Sequence, residues 1–293
     1  MRRRAATRPS PRARIRCLTF IVAALVAGCT SPAAVSRYAR SATLTTAKLP
    51  DVADALSESC RRTASYRLRR TSDAWYGDDS VRIACAGRDA ALRTVTRANR
   101  VLAAYFAALE SLADNKLTDY DAKIGASGET LAEAGAFGKK QVKAVEGLAS
   151  FAASRATDGY RRQRLREVIA AQNENVQIVT GSLHEILDGD LAQLLENDVA
   201  AQTSFYRSAL TEGSSRDPLT AILVRDAYDE RAAQLAQRSA AVHSLAQALL
   251  TVGRGHQALY DSRDHLGGKA LLATIVSNAR ELDAAIARVN KAF

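Results

Sequence analysis

Proline almost disappears after the first fifty residues: Pro9, Pro11, Pro32 and Pro50 come early, and Pro218 alone follows in a chain of 293. Long helices meet no obstacle over most of the chain. Aromatic residues are only 5 % of the total, with one Trp and one Met, so any core must rest on aliphatic and small side chains. Histidine is limited to His184, His243, His256 and His265. The residues three before them are Gly181, Ala240, Gly253 and Ser262, which excludes the Glu-x-x-His pairs of a di-iron bundle. His184 precedes Glu185, but no second histidine lies one turn on, so zinc-peptidase spacing fails as well. Nucleophile elbows, Ser-x-x-Lys pairs and phosphate-cradling glycine loops are missing. No cofactor, catalytic residue or metal site is expected, and no small-molecule substrate is evident.

What is present is helical period. Val95, Leu102 and Leu109 lie seven apart, flanked by Leu92, Phe106 and Ala113. Ile169, Val176 and Leu183 repeat the pattern, with Leu165, Val179 and Ile186 beside them and Gln172 interrupting that second row. Tyr228, Leu235, Val242 and Leu249 form the cleanest row, and Ile275, Leu282 and Val289 run beside Ala279, Ile286 and Phe293 near the end. Rows of this kind pack helices at shallow angles around a shared core. The expected fold is all-α, an elongated antiparallel helical bundle with coiled-coil-like heptad packing. Glycines, polar turns and Pro218 place helices near 51–70, 80–123, 129–156, 159–211, 217–264 and 268–292. Gly253 and Gly255 suggest a softer region before the last of these.

The N-terminus reads differently. Seven arginines and no acid in the first 16 residues precede the apolar run Cys17 to Gly28, too short at twelve residues to cross a bilayer in comfort. The run closes in Val26, Ala27, Gly28, Cys29. This segment resembles the signal peptide and lipobox of bacterial lipoproteins. The resemblance implies cleavage before Cys29, acylation of that cysteine with palmitate-like chains, and, with Thr30 next, an address on the periplasmic face of the outer membrane. The expected domains are a signal peptide at 1–28, a flexible membrane tether at 29–50 and a helical-bundle domain at 51–293. The tether reading rests on the Ser, Thr and Ala content of the stretch from Thr30 to Pro50.

Charge follows from the same division. The net +10 includes seven signal-peptide arginines, which leaves +3 on the remainder and makes nucleic acid a poor partner. Cys60 and Cys85 stand symmetrically about a polar, turn-like stretch, Thr71 to Ser80, as facing positions of a helical hairpin would; a disulfide between them is expected. Basic clusters at Arg67, Arg69, Arg70 and at Arg161, Arg162, Arg164, Arg166 are candidate surfaces for anionic lipid or an acidic partner, though a solvated helix face gives the same pattern. Asp188-Gly189-Asp190 reads as a capping turn. The functional expectation is a membrane-anchored, non-catalytic interaction or structural module of the cell envelope, meeting an envelope protein or a second copy of itself. The alternatives are a membrane-active bundle, or an enzyme or metal protein built around His256, His265 and nearby carboxylates.

Overall fold

The computed structural model describes residues 32–71, 78–114, 137–152, 161–213 and 217–293; all of them that form regular structure are helical. In chain order the helices are α1 (Ala33–Thr46), α2 (Leu49–Thr71), α3 (Asp78–Asp114), α4 (Lys139–Ala152), α5 (Arg161–Glu185), α6 (Ala192–Gly213), α7 (Pro218–Asp261) and α8 (Lys269–Ala292). A π-helical turn, Ile186–Leu191, joins α5 to α6 without a break. The protein is an all-α helical bundle.

Its frame is the hairpin of α5–α6 against α7. Gln177 pairs with the Gly253 carbonyl, His184 with that of Ala246, and the Tyr206 ring packs on Tyr228, so the two strands of the hairpin run antiparallel. Asp217 starts α7 by accepting the Leu219 and Thr220 amides, and Pro218 fills the first helical position, where no amide is needed. At 1.5 Å per residue the 44 residues of α7 span about 66 Å. α8 turns back along α7 through the short helical turn Arg263–His265, and α2 and α3 form a second hairpin against α6 and α5.

The heptad rows become the core. Leu92, Val95, Leu102, Phe106, Leu109, Leu165, Ile169, Val176, Leu183, Leu235, Val242, Leu249, Ile275, Leu282 and Val289 are all buried in one apolar cluster. Leu183, Leu187, Leu191 and Leu195 are buried too, at spacings of four. Four residues advance an α-helix by 400°, so three such steps would rotate the stripe about 120° off the core. The π-turn at 186–191 holds more residues per turn and keeps that leucine file facing inward. Asp188, Gly189 and Asp190 therefore lie inside a continuous helix, not in a capping turn. Gly253 and Gly255 likewise fall within α7, not in a break.

The stretch from Ala33 to Pro50 departs most from expectation. It is not a flexible tether: α1 runs Ala33–Thr46 and buries Ala34, Val35, Tyr38, Ala39, Ser41, Ala42, Thr45 and Thr46 against the other helices. Its hydroxyls explain how so polar a segment can be interior. Thr43, Thr45 and Thr46 each donate to the carbonyl four residues back, leaving a methyl-bearing surface to pack. Pro50 sits in the first turn of α2, where proline is tolerated. The bundle domain thus begins by Ala33 rather than at 51.

Candidate functional site

Cys60 and Cys85 are disulfide-bonded across α2 and α3, with Cα atoms 6.0 Å apart. Beside them Asp198 of α6 is buried, accepting Ser59 Oγ at 2.6 Å and Arg88 Nη1 at 3.1 Å. Arg61 approaches Asp89 at 3.5 Å nearby, and Ser57 donates to Asp89 at 2.6 Å. Removing one member of the Arg88–Asp198 pair would strand a charge in the interior. This cluster ties α2, α3 and α6 together, with Asp198 buried at its centre and Arg61 exposed at its edge.

His256 is fully buried. Its Nδ1 faces Asn173 Oδ1 at 2.9 Å, an oxygen that also accepts from Gln177, and its Nε2 faces Tyr105 Oη at 2.7 Å. Asn173 supplies only an acceptor there, so Nδ1 carries the proton and Nε2 accepts from the tyrosine. Burial pushes the histidine pKa down to about 3 and raises that of Tyr105, so both groups are neutral. Tyr38 from α1 packs edge-on to His256 and donates to the Val252 carbonyl at 2.8 Å. Its ring lies so close to α7 that a Cβ at Gly255 would sit 2.5 Å from it, which is why that position is glycine. His265 is exposed in the α7–α8 turn, and the two histidines do not converge. Among the described residues no group of three or more His, Cys, Asp or Glu side chains has the geometry to hold a metal ion.

The surface is more informative. A groove of about 840 Å³ between α1, α3 and α8 is lined by Arg37, Arg40, Leu44, Asp114, Arg280 and Asp283 among others. Arg40 spans its rim to Glu110 at 2.8 Å and Asp114 at 3.7 Å, and its hydrogen bond to Glu110 raises the arginine pKa further. At the far tip of the hairpin the first turns of α7 expose Leu219, Ile222 and Leu223 by 62 %, 57 % and 60 %. They lie ahead of the row that starts at Tyr228, where a spacing of three and four still marks a helix face that no helix among the described residues covers. Their spacing in the sequence is the one signal of this face, and it lies outside the heptad rows. Behind them Tyr66, Phe205, Tyr206 and Tyr228 form a ring cluster that braces the tip.

Of the basic clusters, Arg164 and Arg166 are on the outer side of α5, which Arg161 and Arg162 open. Cys29 and the polar turn at 72–77 lie outside the described residues. Among the described residues no helix is long and apolar enough to cross a membrane. No protein-family model, curated protein or solved structure matches the chain.

Proposed function

We propose that the chain is a lipid-anchored protein of the bacterial cell envelope whose bundle is a non-catalytic interaction module, held to the outer membrane at Cys29 and engaging an envelope protein through the tip of α7. The observation that carries this reading is the exposed trio Leu219, Ile222 and Leu223. Three large aliphatic side chains grouped on one helix face cost solvation free energy unless a partner covers them. Rigid presentation favours the same reading: the tip is braced by stacked aromatic rings and capped by Asp217. The lipid anchor rests on the basic N-terminus, the short apolar run and the Val-Ala-Gly-Cys motif. With two or more acyl chains on Cys29, attachment is firm without a spanning helix.

The test is cross-linking and pull-down from intact cells, comparing the native protein with Cys29→Ala and with Leu219→Glu/Ile222→Glu/Leu223→Glu, and with intact mass measured on the purified native chain. Acyl mass on the native chain, with a defined envelope protein captured by it and lost from the tip variant, is the expected result. An unmodified Cys29, or capture that ignores the tip, overturns the reading.

A further inference from the structure

We propose that the end of the bundle opposite the tip is a bilayer-facing surface that holds anionic phospholipid headgroups, with Arg164, Arg166, Arg263 and Lys269 as its contacts. The proposal rests on the reading that Cys29 carries lipid, and it adds the orientation of the body and the chemistry of the membrane it meets.

Direction comes first. Asn99 of α3 donates to the Thr46 carbonyl while Phe106 packs on Tyr38, so α1 runs antiparallel to α3. Arg88 of α3 meets Asp198 whereas Tyr105 meets His256 beside Asn173, so α3 is antiparallel to α5–α6. α1 and α5 therefore start at the same end. Thr251 and Arg254 reach Glu281 while Arg288 reaches Ser244, which sets α8 antiparallel to α7 and starts it there too.

Reach comes second. α1 begins at Ala33 and is fixed in the core, leaving Thr30, Ser31 and Pro32 between Cys29 and the helix. Even fully extended, three residues span only about 10 Å. A lipid on Cys29 cannot let the body drift; it draws this end to the headgroups.

Charge is the third observation. Arg166 donates to the Asp264 backbone carbonyl at 3.2 Å, and Arg263 donates to the Tyr260 carbonyl at 2.8 Å while stacking 4.5 Å from that ring's centre. Both guanidinium groups are thus positioned by neutral acceptors, and among the described residues neither pairs with a carboxylate. Lys269 is exposed at the start of α8, and Arg164 shares its charge with Glu167 at 3.3 Å. Arg161 and Arg162 add two more cations in sequence; the acids of this end among the described residues include Glu167, Asp261, Asp264 and Asp114, the last already paired with Arg40 at 3.7 Å. The opposite end differs in kind: it exposes Leu219, Ile222 and Leu223, and its exposed charges are mixed, Arg67, Arg207 and Arg225 standing with Asp226, Asp229 and Glu230. An anionic leaflet attracts the cations of the first end, and the short link to Cys29 selects that end over the second.

Two measurements test this. The mature chain, beginning at position 29 and carrying Cys29→Ser, is co-sedimented with vesicles of phosphatidylcholine alone and of phosphatidylcholine with phosphatidylglycerol. Binding is expected only to the second, weakening as salt rises. Each cation near such a surface strengthens binding about fivefold, so Arg166→Gln/Lys269→Gln should weaken it about twenty-five-fold. Arg225→Glu, at the far tip, should not weaken it. In parallel, native protein in the same vesicles is labelled with a dye at position 269 or 223; headgroup quenchers should quench the first and spare the second. No binding by the Cys29→Ser chain, or binding indifferent to Arg166 and Lys269, overturns the surface whatever the intact mass says of Cys29. Equal quenching at 269 and 223 overturns the orientation.

Discussion

At His256, burial and two hydrogen bonds decide the protonation state, and stability inherits a pH dependence. Its folded pKa of about 3 lies below the 6.5 of a free imidazole. Between those values the unfolded chain takes up a proton that the folded chain refuses. The contribution is complete above about pH 6.5 and is lost as pH falls, at up to about 1.4 kcal/mol per pH unit. Urea midpoints at pH 7, 6 and 5 should therefore drop more steeply for the native protein than for His256→Gln; parallel curves contradict the assignment. Two glycines give opposite signs. Gly255→Ala drives a methyl into the Tyr38 ring and should cost about 2–3 kcal/mol, whereas Gly87 in α3 has nothing within 4 Å of an added Cβ. Gly87→Ala should stabilise by roughly 0.5–1 kcal/mol through helix propensity, read from the same denaturation curves. The sequence places His256 in line after the Tyr228–Leu249 row, as a structural histidine of the bundle or, with His265, a candidate site, and it names none of these partners. Its neighbours Tyr38, Tyr105 and Asn173 come from three other helices, and no local pattern records such a meeting.

Among the elements, those with a core of large aliphatic residues could be read from sequence alone. The rows in α3, α5, α7 and α8 are buried over most of their length, Tyr228, Ile186, Ala279 and Ile286 being half-buried and Phe293 exposed, and the Cys60–Cys85 bond closes the α2–α3 hairpin as expected. α1 was missed for a physical reason. Ala34, Val35, Tyr38, Ala39, Ala42, Thr45 and Thr46 keep a helical period, but most are small or hydroxylated and carry little apolar signal until the threonine hydroxyls satisfy themselves on their own helix. The π-turn was missed because its cue, leucines at four-residue steps around Asp-Gly-Asp, also fits an ordinary turn. Ala39→Pro separates the two accounts of this segment. In a flexible tether the change is silent; in α1 it removes a backbone hydrogen bond inside the core and should cost about 3 kcal/mol or more in thermal or urea unfolding.

On the scale of the whole molecule the bundle has two unlike ends: Arg164, Arg166, Arg263 and Lys269 gather where α1, α5 and α8 begin, and Leu219, Ile222 and Leu223 are exposed where α7 begins, with a helix of about 66 Å between them. That polarity could not be read from sequence, because residues 32, 166 and 269 are brought to one end only through the antiparallel order of the helices. It is what an anchored module needs if it is to face a membrane with one end and a protein with the other. The most direct test of that claim is photo-cross-linking in living cells, with a photoreactive residue in place of Leu223 or, as control, of the exposed Ser277 near the opposite end. The account predicts one defined envelope-protein adduct from position 223, absent from 277 and lost when Cys29 is replaced by Ala. Adducts that are the same from both positions, or no adduct from 223, contradict it.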